Sequence, residues 1–160
     1  MEANKITFSV VSDGTSNPGW NNRLKEKVGH SASKILKSYG LEKTSDIKTD
    51  IVIIKGEIFS NDYSLADVYA EAKKRSLREM EVETAYLTVE KITAEDMEAI
   101  GLRYIIVMHQ PIANGNICMN EDCLFEIVRN HDCCRLELIS DRPGFSKYTS
   151  SYGFAFAANS

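Results

Sequence analysis

Chemistry in this chain would start from the stretch SDGTSNPGW, residues 12–20. Asp13 offers a carboxylate, and Ser12, Thr15, Ser16 and Asn17 place further hydrogen-bonding side chains beside it. The stretch follows a β-rich run, Ile6 to Val11, and precedes a helical pattern. In open α/β sheets ligands sit beyond the carboxyl ends of strands, and the first amides of a following helix attract anions. The stretch lacks the Gly-Lys-Ser/Thr of a phosphate-binding loop, and Asp13 would repel a phosphate unless a metal intervened. Trp20 can anchor a ligand or a second subunit, or supply a hydrophobic contact at the helix start. The plain alternative is a long loop that caps a helix.

A second candidate is His109, followed by Gln110 at the end of an apolar run. A histidine titrates near neutrality and can serve as a base or a ligand. If the first and fourth strands run parallel, His109 leaves the sheet at the same edge as Asp13. No nucleophile elbow accompanies it. Its plain alternative is a strand-terminal histidine bound to a loop carbonyl. The acidic set Glu57, Glu81, Glu83 and Glu90 adds carboxylates for acid/base work, of which Glu83 joins Asp13 and His109 as a catalytic candidate. Otherwise these are solvated charges. Cys118, Cys123, Cys133 and Cys134 lie close together near His131, but their spacing lacks paired knuckles, so reduced thiols are expected and no metal or cofactor.

Two families share short patterns with the loop. Asp13-Gly14 with Asn17-Pro18-Gly19 resembles the opening strand of RNase H, but residues 84–89 and 103–108 supply none of the further carboxylates that family needs. Val11-Ser12 followed by Ser16-Asn17, after a first strand, is similar to the start of the small phage-encoded S-adenosylmethionine lyases. This second resemblance covers fewer than ten residues. It implies a phage-encoded enzyme acting on S-adenosylmethionine. The tyrosine and glutamates those enzymes carry later would fall on Tyr63 or Tyr69 and on Glu81 or Glu83.

The elements that must position these groups follow from periodicity. Leu24, Val28, Ala32, Ile35, Leu36 and Tyr39 form one stripe of a helix that Gly40 ends. Residues 43–50 read as a polar connection. Ile51 to Ile54 and Glu57 to Phe59 read as one bulged strand or a hairpin. Ser64 with Asp67 opens a second helix, whose Lys73, Lys74, Arg75 and Arg78 make a solvated face. Residues 83–112 read as strand, short helix and strand: Ala85, Leu87 and Val89 alternate with polar neighbours, Thr93 and Asp96 cap a helix that Gly101 stops, and Tyr104 to Met108 is buried on both faces. Asn120 would cap a helix running to Asn130, and Leu136-Leu138 would pair with Phe154-Ala157 as a hairpin. The expected fold is α/β, with α+β as the variant: a single domain over residues 1–160, a mixed sheet of five or six strands, amphipathic helices packed on it, and a C-terminal antiparallel hairpin.

With 160 residues, 43% hydrophobic and 26% charged, the chain can bury a full core. A net charge of -4 argues against nucleic acid as the partner and is too mild for a DNA mimic. No apolar run approaches the roughly 20 residues of a membrane span, and residues 1–11 lack a signal-peptide pattern, so a soluble cytoplasmic protein is expected. Two functions fit. One is an interaction protein of inhibitor or adaptor type, acting on a protein partner through its surface, with homo-oligomers compatible. The other is a small lyase or hydrolase, or a binding protein, for a nucleotide-like or S-adenosylmethionine-like molecule held at the Asp13 loop. The second requires Asp13, Ser16 and His109 to line one pocket. The first predicts an exposed patch near Phe145, Tyr148, Tyr152 and Phe154.

Overall fold

Ile105 to Met108 forms the middle of the molecule because no face of it meets water, all four residues being fully buried, while Tyr104 ahead of them is half-buried. A strand buried on both sides needs a layer of side chains above and below it. The computed structural model, which describes residues 7–38, 45–60, 62–113, 122–131, 133–140 and 148–158, supplies both layers.

The strands are β1 (Phe8–Asp13), β2 (Ser45–Lys55), β3 (Leu77–Arg78), β4 (Tyr104–Val107), β5 (Ile112–Ala113), β6 (Asp122–Arg129), β7 (Cys134–Ser140) and β8 (Tyr152–Ala158). The helices are α1 (Asn17–Leu24), α2 (His30–Ser38), α3 (Leu65–Lys74), α4 (Glu83–Lys91) and α5 (Ala94–Ala99). The main path of the single mixed sheet is β1-β2-β8-β4-β6, with β7 continuing beyond β6 and the two-residue strands β3 and β5 joining β8 and β6. The β4–β8 pair is parallel; the other pairs between named strands are antiparallel. Among the described residues six strands have four or more residues, matching the expected sheet.

One face of the sheet packs Val10, Ile51, Ile105 and Ile127 against Trp20 of α1, Ile35 of α2, Tyr86 of α4 and Met97 of α5. The other face packs Val52, Ile54, Ile106 and Phe156 against Leu65 and Val68 of α3. Both capping boxes form as the spacing implies: Ser64 with Asp67 at α3, and Thr93 with Asp96 at α5. Gly101 follows α5 at φ +77, a conformation that costs little without a Cβ. Among the described residues, no helix is long and apolar enough to cross a membrane.

Several expectations are corrected. Residues 84–89 are helix α4, buried from Glu83 through Val89, so their apparent alternation reflects burial all round. Residues 122–129 are strand β6, not a helix. The stripe from Leu24 to Ser38 is split, because α1 ends at Lys25 with φ 53 and Gly29 donates its N–H to the Leu136 carbonyl at 2.8 Å. The polar stretch 45–50 extends β2, paired with β1, and Gly56–Ile58 is a single 3₁₀ turn after it. The antiparallel hairpin joins β7 to β6; β8 instead lies between β2 and β4. Tyr39 to Lys43, Cys118, Asn120 and Phe145 lie outside the described residues.

Candidate functional site

The loop after β1 is organised by an arginine at the far end of α1. Ser16 caps that helix, its hydroxyl accepting from the Gly19 N–H at 3.3 Å, and Pro18 fits the first turn, where a missing donor costs nothing. Two turns on, Arg23 donates to Asp13 Oδ2 (2.5 Å) and Thr15 Oγ1 (3.0 Å) through Nη1. Its Nε and Nη2 take the two oxygens of Glu90 on α4, at 2.5 and 2.6 Å. Four of the five guanidinium donors are thereby used. The same group lies 4.3 Å from the ring centroid of Trp20.

Asp13 is equally occupied. Thr15 donates to its Oδ1 from both hydroxyl (2.6 Å) and backbone (3.2 Å). The Thr15 hydroxyl first, then Arg23, hold the carboxyl down at about 2. Ser12 is buried, its hydroxyl accepting from the Ile47 N–H at 3.1 Å. Asn17 is the first residue of α1. Trp20 lies within α1 rather than in the loop ahead of it and is 1% exposed, 5.8 Å from Tyr86, so its ring serves the core instead of offering a surface. The loop thus brings Asp13 and Thr15 onto Arg23 as a clamp between β1, α1 and α4, with Ser16 capping α1 and Trp20 beneath the guanidinium, its buried indole Nε1 without a hydrogen-bond partner among the described residues.

His109 does not join it. Strands β1 and β4 do run in the same direction, so the two residues leave the sheet at one edge. With β2 and β8 between them, the strands are about 14 Å apart. His109 is fully buried: Nδ1–H donates to the Gln110 carbonyl at 2.7 Å and Nε2 accepts from the Phe125 N–H at 3.0 Å. Those partners fix the neutral tautomer, and burial pushes the ring down to about 4. No ring nitrogen is left for a substrate. Glu83 is buried in the first turn of α4, where a carboxylate complements the helix end.

Of the aromatic cluster near the C-terminus, Tyr148 and Phe154 turn inward and Tyr152 is half-buried. Phe154 is fully buried, Tyr148 is 7% exposed, and Tyr152 stacks on Tyr104 with centroids 4.5 Å apart. Of the cysteines, Cys123 and Cys134 are buried and Cys133 is exposed, all three as free thiols. Among the described residues no cluster of three His, Cys, Asp or Glu side chains could hold a metal ion.

Two features emerge that the motifs did not indicate. Glu126 of β6 is 7% exposed and lies directly across from Glu137 of β7. Burial first, and then Glu137, push its carboxyl up to about 7. A charged residue inside the apolar run DCLFEIVR is the signal that could have found it.

The other is a cleft of about 320 Å³ beside the sheet edge. Its walls are Thr7 and Phe8 at the start of β1, Lys91 and Ile92 at the end of α4, and Asp96 and Ile100 of the α5 region. Among the described residues β1 pairs only with β2, and the Lys91 ammonium donates to the Ser9 carbonyl while lying 6.0 Å over the Phe8 ring. Such a site can bury an apolar side chain between two opposite charges. It contains no group arranged for bond-making. Compared with protein-family models, with curated proteins and with solved structures, the chain matches none.

Proposed function

We propose that this protein is an interaction protein of inhibitor or adaptor type that takes an extended segment of a partner protein alongside β1. The observation that carries this reading is the cleft bounded by Phe8, Ile92 and Ile100 next to an edge strand. An edge strand has a row of backbone donors and acceptors open to a new strand, and alternate side chains of that strand then face one layer. Here the layer has an apolar floor, with Lys91 and Asp96 to read charge on either side of an inserted side chain. Burying one large apolar side chain there would contribute about 1.5–3 kcal/mol. The Lys91 ammonium on the Ser9 carbonyl covers part of the edge while it is unoccupied, which discourages indiscriminate strand addition.

The test is selection of binders from a displayed library of random peptides. Enriched peptides should share an apolar anchor, and their binding should fall on the order of tenfold or more with Ile100→Glu, measured where circular dichroism shows the variant folded, because Ile100 also packs against the core. No enriched peptide, or peptides indifferent to Ile100→Glu and Phe8→Glu, would remove the reading. A melting temperature raised by S-adenosylmethionine or a nucleotide, with amide shifts centred on residues 12–17 and no peptide binding, would return the function to the Asp13 loop.

A further inference from the structure

A second cleft, of about 210 Å³, is lined by Arg103, Arg129, Asn130 and His131. Two chain segments far apart in sequence build it. The turn at Gly101 carries the chain from α5 into β4 and presents Arg103. The β6–β7 turn presents the others and is closed by the Asn130 N–H donating to the Cys133 carbonyl at 2.9 Å. The Arg129 N–H donates to the Arg103 carbonyl at 2.9 Å, which fixes one segment against the other.

The side chains are organised as well. Arg129 is half-buried, and its Nε donates to the Leu102 carbonyl at 3.1 Å, holding the planar fork in one orientation. Arg103 is exposed, its guanidinium 5.8 Å from the Tyr104 ring. Among the described residues no carboxylate forms an ion pair with either arginine, although Arg23 and Arg75 are both paired. Two guanidinium groups with no ion-pair partner among the described residues thus line one cleft of a chain of net charge -4, whose overall field does not gather anions. Arginine forks match tetrahedral oxyanions with two parallel charge-assisted bonds, and Asn130 and His131 complete the rim of the cleft.

We infer that this cleft binds the phosphate group of a small phosphorylated molecule. Arg129 grips two phosphate oxygens, and Arg103 closes over the group from the solvent side. The site is independent of the β1 cleft, and its ligand class is different.

The experiment is an amide chemical-shift titration of the full chain with inorganic phosphate and, separately, with adenosine monophosphate. Saturable shifts confined to Arg103 and residues 129–131 are expected with both. Tighter binding of the nucleotide would identify a phosphomonoester ligand, and equal binding a free phosphate site. Arg129→Gln, whose amide can still donate to the Leu102 carbonyl, should weaken binding roughly tenfold or more, and Arg103→Gln several-fold. Arg129→Lys, which keeps charge but loses the fork, should fall between them. Absence of saturable shifts up to about 20 mM of either probe, or binding unchanged in both glutamine variants, would overturn the inference.

Discussion

His109 and Glu126 are buried groups whose protonation works in opposite directions. His109 keeps a neutral ring down to about 4, against an ordinary 6.5, so between those values the unfolded chain binds the extra proton. Its effect is stability that is present above pH 6.5 and lost as pH falls toward 4. Glu126 stays protonated up to about 7, against an ordinary 4.5, so in that window the folded chain binds the extra proton. Its effect is stability that is present below pH 4.5 and lost as pH rises through 7. Each slope is at most about 1.4 kcal/mol per pH unit, and the two oppose each other between pH 4.5 and 6.5. We therefore expect urea midpoints of the native chain to change little across that range. Glu126→Gln should stabilise the protein by about 1–2 kcal/mol at pH 8, where the native carboxylate faces Glu137, and should uncover the falling acid limb set by His109. A Glu126→Gln variant with an unaltered pH profile would show that the carboxyl is solvated. Asp13, held at about 2, acts only further into acid, below its ordinary 3.8.

At the scale of elements, Arg23 joins parts of the chain that have no sequence relation: the β1–α1 loop through Asp13 and α4 through Glu90, 67 residues away. Arg23→Met would keep the stem near Trp20 but leave the Asp13 and Glu90 carboxylates without the cation they share. The side chain is 36% exposed, so solvent screens part of the effect, and we expect a loss of about 1–2 kcal/mol in denaturant unfolding. Adding Glu90→Gln should recover part of it, and two losses that simply add would show the network to be uncoupled. The same contrast separates what was legible in the sequence from what was not. Capping is local, so Ser64-Asp67 and Thr93-Asp96 could be read directly, as could the burial of Ile105 to Met108. Periodicity failed where a segment is buried all round. In α4 both Leu87 and Thr88 are buried, and in β6 Leu124 and Phe125 belong to different core layers, so neither segment has a polar face to mark its period. The break between α1 and α2 depends on the Gly29 bond to Leu136, which no neighbouring residue encodes. At the site, the loop's polar content was visible, but its neutralisation by Arg23 and the enclosure of His109 by Gln110 and Phe125 depend on the tertiary fold.

For the whole molecule the question is whether two core layers separated by one sheet behave as one body. Ile105 and Ile106 are adjacent on β4 and both fully buried, yet they serve opposite layers. Removing either side chain down to Cβ should cost about 2–4 kcal/mol, since β4 has strands on both sides and little room to relax. Trp20, the sole tryptophan of the chain, reports on the layer that holds Ile105. If the sheet transmits stability between layers, Ile106→Ala must move the Trp20 fluorescence transition as far as it moves the far-ultraviolet circular dichroism transition, with one midpoint for both. A Trp20 transition that stays in place while ellipticity shifts would mean that the α3 layer unfolds by itself. The β1 cleft, built from β1, α4 and the α5 region on the Trp20 side, would then keep its shape after the α3 layer had melted. Peptide binding measured between the two midpoints would persist in that case, whereas with the single transition expected here it is lost at the one shared midpoint.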